Sequence, residues 1–215
     1  MSTEYKKIAF HTMGCKLNFS ETSMISKDFV KRGFKKVGYK DFADFYVLNT
    51  CSVTDNADKE ARKLIRQAKR INPNSKVAVI GCYAQLNPDE ISNIKGVDLI
   101  IGSEKKFNLL NELDNIDFSS EAKVIRADIS ETHSFKPSYS IGDRTRSYLK
   151  IQDGCDYVCS FCTIPLARGK SRNDSIKKTI QLANQAIQEG AKELVLTGVN
   201  IGDFGKSSNE SFLSL

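Results

Sequence analysis

Phe45-Tyr46-Val47-Leu48-Asn49-Thr50-Cys51 decides how the first half of the chain is read. It is a short apolar run that closes on a cysteine. A helical pattern follows from about Asp55 to Ile71, with Thr54 or Asp55 as its cap, Pro73 as its stop, and Ala61, Leu64, Ile65, Ala68 and Ile71 on one face. A second apolar run, Lys76 to Ile80, then ends in Gly81-Cys82. Strand, helix, strand is one crossover unit, and it predicts an α/β domain with a largely parallel sheet.

Read outward, the pattern repeats. Lys7 to Met13 is a strand-like run ending in Gly14-Cys15. Behind it lies a helix with Ser20 as expected cap, Met24, Ile25, Phe29 and Val30 on its apolar face, and Gly33 at its end. Downstream, a short helix near 88–94 leads to a strand over 97–101 and a helix near 104–113. Cys15, Cys51 and Cys82 therefore sit just past three strand ends. Ligands in open α/β sheets gather outside the carboxyl ends of the strands. A shared three-thiolate cluster is the sharper expectation; three unrelated buried thiols are the plainer one.

The second half turns on Gly154-Cys155-Asp156-Tyr157-Val158-Cys159-Ser160-Phe161-Cys162, a loop placed after an apolar run at Tyr148 to Ile151. A closed zinc site wants a fourth ligand, and no Cys or His follows Cys162 within the next fifty residues. A zinc borrowing a distant ligand stays open. A cubane iron–sulfur cluster needs only three thiolates if its fourth iron is to bind something else. After the loop, Arg168, Lys170 and Arg172 could receive a phosphate or lie in an ordinary exposed loop. A helix capped by Asp174 or Ser175 follows, with Ile176, Ile180, Ala183 and Ile187 on its apolar face and Gly190 at its end. The strand 193–196 then runs into Thr197-Gly198-Val199-Asn200. This is the opening of a β/α barrel with the cysteine loop at its C-terminal mouth. The units stop after two strands, at a Gly/Ser-rich segment from Asp203 to Leu215, so the barrel is expected to continue beyond this chain.

The 215 residues are 40% hydrophobic and carry a net charge of +6. That allows two domains, expected at 1–137 and 138–215, with a polar connection over 114–143. A mild basic excess suits a polyanion without proving one. Lys59, Arg62, Lys63, Arg66, Lys69 and Arg70 line the 55–71 helix as a solvated face or a phosphate contact. Six cysteines against two histidines, a polar start at 1–7 and no apolar run of membrane-spanning length predict a cytosolic protein with metal-binding thiols. His11 and His133 have no nucleophile nearby in sequence and are assigned no chemistry.

Four stretches carry a resemblance: Thr12 to Asn18 with Glu21-Thr22, Asn49 to Thr54, Gly81 to Gln85, and Gly154 to Gly169. Together they resemble the methylthiotransferase branch of the radical S-adenosylmethionine enzymes. Gly14-Cys15-Lys16-Leu17-Asn18 is most similar to the type that modifies threonylcarbamoyladenosine beside the anticodon of tRNA. The resemblance implies two 4Fe-4S clusters and S-adenosylmethionine. Cys155, Cys159 and Cys162 would hold the cluster that cleaves the cofactor, with Phe161 near its adenine and Gly198 and Asn200 in the loop facing its methionine. That loop lacks the acidic residue of the family's motif. Cys15, Cys51 and Cys82 would hold an auxiliary cluster whose open iron carries the sulfur. One S-adenosylmethionine would methylate that sulfur; a second would yield the radical that takes hydrogen from C2 of the adenine ring. tRNA and an electron donor protein are the implied partners. Methylthiolation of an aspartate in a ribosomal protein and a zinc-binding nucleic-acid module are the alternatives.

Overall fold

The computed structural model describes residues 6–51, 55–114, 121–142, 145–206 and 208–215. Thr54, one expected cap, lies outside them, as do Ser52 and Val53. The chain forms two compact units. One comprises the residues up to Gly14 with Ile25–Ala127; the other comprises Cys15–Met24 with Asp128–Leu215. Composition puts the division after residue 137, whereas the packing puts it before Asp128 and assigns Cys15–Met24 to the second unit.

The first unit is built on a six-stranded sheet among the described residues. Its strands are β1 (Lys7–Thr12), β2 (Lys35–Val37), β3 (Phe45–Thr50), β4 (Lys76–Gly81), β5 (Leu99–Ile101) and β6 (Lys123–Ile125), in the order β2-β1-β3-β4-β5-β6. Every neighbouring pair is parallel. A largely parallel sheet was the expectation, and the described sheet is parallel throughout. The edge strands β2 and β6 are three residues each and add to the strands expected from sequence.

Successive side chains leave a strand on opposite faces, and this sheet buries both. Tyr46, Leu48, Val77, Val79 and Ile100 join one apolar cluster with Ala61, Leu64, Ile65 and Ala68 of α2 (Asp55–Ile71) and with Tyr83 and Ile91 of the short helices α3 (Cys82–Leu86) and α4 (Pro88–Ser92). Val47, Ala78, Ile80, Leu99 and Ile101 join the other with Ile25 and Phe29 of α1 (Lys16–Lys31) and Leu109 of α5 (Leu109–Asp114). Burial on both sides is why these strands read as continuous apolar runs. Two details of α1 differ from expectation. Ser20 is not its cap: the helix begins at Lys16, and the Ser20 hydroxyl donates to the Leu17 carbonyl at 2.9 Å. Val30, assigned to the apolar face, is exposed.

The second unit carries a small mixed sheet. β7 (Ser138–Tyr139) pairs antiparallel with β8 (Ser147–Lys150), which pairs parallel with β9 (Leu194–Thr197). β8 and β9 are joined through α6 (Ile164–Arg168) and α7 (Ile176–Gln188). Ser175 caps α7, its hydroxyl accepting from the Lys178 amide at 3.4 Å. The expected apolar face of α7 is rotated. Ile176, Leu182, Ala183 and Ala186 pack into the core, whereas Ile180 and Ile187 are 43% and 53% exposed. The 203–215 segment folds back. Phe204, Phe212 and Leu215 join the core of Tyr139, Leu149 and Ile151, and the Glu210 carboxylate accepts from the Ile176 amide at 3.1 and 3.2 Å, where the positive end of the helix dipole favours it. Among the described residues no helix is long and apolar enough to cross a membrane.

Candidate metal centre

The cysteine loop leaves the carboxyl end of β8 and is held at both flanks. Asp153 and Arg172 exchange backbone hydrogen bonds at 3.0 and 2.9 Å, and the Cys155 amide donates to the Gly169 carbonyl at 3.0 Å. The Asp156 carboxylate accepts from the Ser171 amide at 2.9 Å, and Lys206 reaches the Tyr157 hydroxyl at 3.1 Å. Gly154 cannot be another residue. Its φ is +71°, and an added Cβ would stand 2.0 Å from the Lys170 carbonyl oxygen, far inside contact distance and in a backbone region that glycine alone enters freely. A tight turn then brings the Cys162 amide to the Cys159 carbonyl at 3.1 Å. Cys159 is exposed, Cys155 and Cys162 are half-buried, and none of the six cysteines is in a disulfide. Val158 and Phe161 are 96% and 90% exposed. The loop thus offers three thiols on an anchored backbone that also carries two exposed apolar side chains.

Two residues that sequence reading did not single out organise this loop. Gln152 is fully buried. Its amide nitrogen donates to the carbonyls of Asp153 and Gly154 at 3.0 and 2.7 Å and to the Ser171 hydroxyl at 3.0 Å. Its amide oxygen accepts from the Asn200 amide at 2.8 Å. One side chain therefore ties the start of the cysteine loop to the 198–200 loop after β9. Gly198 makes room for it: a Cβ there would meet Gln152 at 2.9 Å.

Asp153 is the second. Its carboxylate takes Lys150 at 2.6 Å, Arg168 at 2.9 Å and Arg172 at 3.3 Å, and it accepts from the Gly154 amide at 2.9 Å. Glu21 meets Lys150 at 2.8 Å and the Arg168 fork at 3.1 and 3.2 Å, and Asn18 accepts from Arg168 at 2.6 Å. Lys150 and Glu21 are 0% and 1% exposed at their side chains. Burial alone would push the Asp153 carboxyl up; the charges of Lys150, Arg168 and Arg172 outweigh it and hold the group well below the usual carboxylate range. Arg168 and Arg172, considered above as phosphate receptors, are occupied by these contacts, and only Lys170 of that trio is exposed. A polar cluster at the carboxyl end of a strand was the signal that could have found them.

The other three cysteines follow neighbouring strands: Cys15 after β1, Cys51 after β3 and Cys82 after β4. β1 and β3 flank the point where strand order reverses, the position where open α/β sheets receive ligands. Cys15 belongs to the second unit; Cys51 and Cys82 belong to the first. Cys82 opens α3 and is buried. Gly81 before it has φ +100°, and a Cβ there would strike Asn49 Oδ1 at 2.5 Å. Among the described residues no three Cys, His, Asp or Glu side chains are grouped to hold a single ion, as zinc at about 2.3 Å from each sulfur demands. A cubane asks for a wider set, because each thiolate takes its own iron.

Residues 7–102 match the family described as "Uncharacterized protein family UPF0004". Over 202 residues the chain is 40% identical to the threonylcarbamoyladenosine tRNA methylthiotransferase MtaB of Aquifex aeolicus, covering 93% of this chain and 49% of that protein. The MtaB of Bacillus subtilis is 39% identical over 94% of this chain and 46% of its own length. A tRNA-2-methylthio-N(6)-dimethylallyladenosine synthase of Christiangramia forsetii is 29% identical over 93% of this chain and 42% of its own. The chain is thus similar to MtaB-type methylthiotransferases over most of its own length, and it spans about half the length of the curated relatives it matches.

Proposed function

We propose that this chain is the portion of a radical S-adenosylmethionine methylthiotransferase that carries both iron–sulfur centres. The enzyme installs a methylthio group at C2 of threonylcarbamoyladenosine in tRNA. The carrying observation is the Cys155, Cys159, Cys162 loop, anchored at the carboxyl end of β8 by Gln152 and by the buried Asp153 network. Residues 147–197, with β8 and β9 parallel, would be the first βα units of the barrel that such chemistry uses.

When bound, a cluster on these three thiolates would supply the electron that cleaves S-adenosylmethionine. The chain's own residues hold and shape its seat. Gly154 lets the loop turn, and Gln152 fixes it against the 198–200 loop, which would line the cofactor with Gly198 and Asn200. Phe161 and Val158 offer apolar surface for an adenine and for excluding water. Cys15, Cys51 and Cys82 would bind the auxiliary, sulfur-bearing cluster. tRNA, an electron donor protein and a cytoplasmic setting complete the reading. The names of the relatives favour a tRNA adenosine over a ribosomal aspartate.

The test is deletion of the intact gene, with mass analysis of tRNA nucleosides and of ribosomal proteins. Loss of the methylthio group from threonylcarbamoyladenosine is expected. Unchanged tRNA with an altered ribosomal protein would overturn the substrate.

A further inference from the structure

The first unit carries a second feature, away from any cysteine in its lining. An open groove of about 800 Å³ runs between the second half of α2 and the 93–96 turn, lined by Arg62, Arg66, Lys69, Arg70 and Lys95 among others, with no carboxylate and no aromatic ring. Two of the cations are committed: Arg62 to Glu90 at 2.7 Å and Lys69 to Asp98 at 2.9 Å. Lys69 also donates to the Ser75 carbonyl at 2.6 Å, and Gly96, at φ +100°, gives its stem passage, since a Cβ there would touch it at 2.9 Å. Those pairs give one side of the groove cations whose charge is already matched. Arg66, Arg70 and Lys95 are exposed and carry no ion pair or hydrogen bond among the described residues.

We propose that this groove binds the phosphate backbone of RNA, through Arg66, Arg70 and Lys95. Three uncommitted cations beside a wall whose charges are already neutralised leave a net positive cleft, which gathers polyanions. Arg66 and Arg70 are one helical turn apart and so face the same way. Guanidinium forks suit phosphate oxygens. The absence of an aromatic ring from the lining removes the stacking platform that single-stranded bases need, so the groove contacts backbone and contributes position rather than sequence. This rests on the tRNA reading above and gives it a contact outside the metal centre.

The experiment is tRNA binding by the full chain as a function of salt. The chain with Arg66→Ser, Arg70→Ser and Lys95→Ser is compared with one bearing Lys35→Gln, Lys36→Gln and Lys40→Gln, which removes equal charge elsewhere. Each lost contact lowers the salt slope by roughly 0.7 to 0.9, so the groove variant should lose about 2 to 3 and bind at least about tenfold more weakly at 0.1 M salt. The control should stay within about twofold of the parent. Arg66→Lys with Arg70→Lys, which keeps the charge, should keep the slope and so separates lost contacts from lost folding. Equal losses in groove and control variants, or undiminished tRNA binding by the groove variant, overturn the proposal; in the latter case the cleft is left to an acidic protein. The two readings fail separately. A parent chain that takes up iron but does not bind tRNA sinks this inference alone, and one that binds tRNA without taking up iron sinks the methylthiotransferase reading alone.

Discussion

Replacing Arg168 by Met should be among the most destabilising changes available in the second unit. The guanidinium is 4% exposed and meets Glu21 twice, Asp153 once and Asn18 once. Met is close in bulk and leaves no large void. What it leaves is two buried carboxylates sharing Lys150 and the partly exposed Arg172. Removing one partner from a buried charge pair costs about 3–5 kcal/mol, because the remaining charge is stranded away from water. For a chain of this size that is a fall in Tm of roughly 6–20 °C. The assay is urea unfolding. It should include Lys178→Met as an exposed comparison, whose pair with Asp174 is 68% exposed at the lysine and is worth about 0.5 kcal/mol or less. In a cycle with Glu21→Gln the two losses should overlap by about 1.5–3 kcal/mol. A cost under about 1 kcal/mol for Arg168→Met, or additive losses in the cycle, would refute the claim that these charges form one interdependent network.

The cysteine loop and the sheet give further expectations. Gly154→Ala places a methyl group 2.0 Å from a backbone oxygen; the loop must move, and iron uptake on reconstitution should fall even if the far-ultraviolet circular dichroism is unchanged. Gln152→Leu keeps the bulk but strands the Asn200 amide and two carbonyls. It should cost about 1–3 kcal/mol and weaken S-adenosylmethionine binding by the intact enzyme; equal affinity would show that the two loops are not coupled. Burial holds the His11 imidazole below its ordinary value, with Glu60 opposing. Its folded pKa therefore lies under the unfolded one of about 6.5. Between the two values the unfolded chain binds the extra proton, so stability falls as pH drops through that window. His11→Asn should flatten this part of the urea-midpoint profile, and an unchanged slope would remove His11 as its source.

The strands with cysteines behind them were legible because both sheet faces are buried, which writes runs such as Tyr46 to Leu48 and Val77 to Ile80 as unbroken apolar sequence. β2 and β6 were not, since three residues such as Lys35–Val37 carry no period. The face of α7 is not legible in sequence: Ile180 and Ile187 are as apolar as Ile176, and only the core that Ile176, Leu182 and Ala186 pack into decides which side is inside. Ser20 looked like a cap because serine favours that place, but in the folded chain its hydroxyl turns back to Leu17 and to Ser138 at 2.9 Å. The thiols of the loop stood out by spacing alone. Their supports did not, because Glu21 and Arg168 lie 147 residues apart and Gln152 looks like any polar residue after a strand.

Anaerobic reconstitution with iron and sulfide, followed by metal analysis, separates two iron–sulfur centres from a zinc site. The protein should turn brown and hold roughly four irons per cluster at two sites. Cys159→Ala should lose one cluster's worth and keep the other, and Cys51→Ala should do the same for the other site. A colourless chain that binds zinc in whole-number proportion, or iron uptake indifferent to both substitutions, would contradict it.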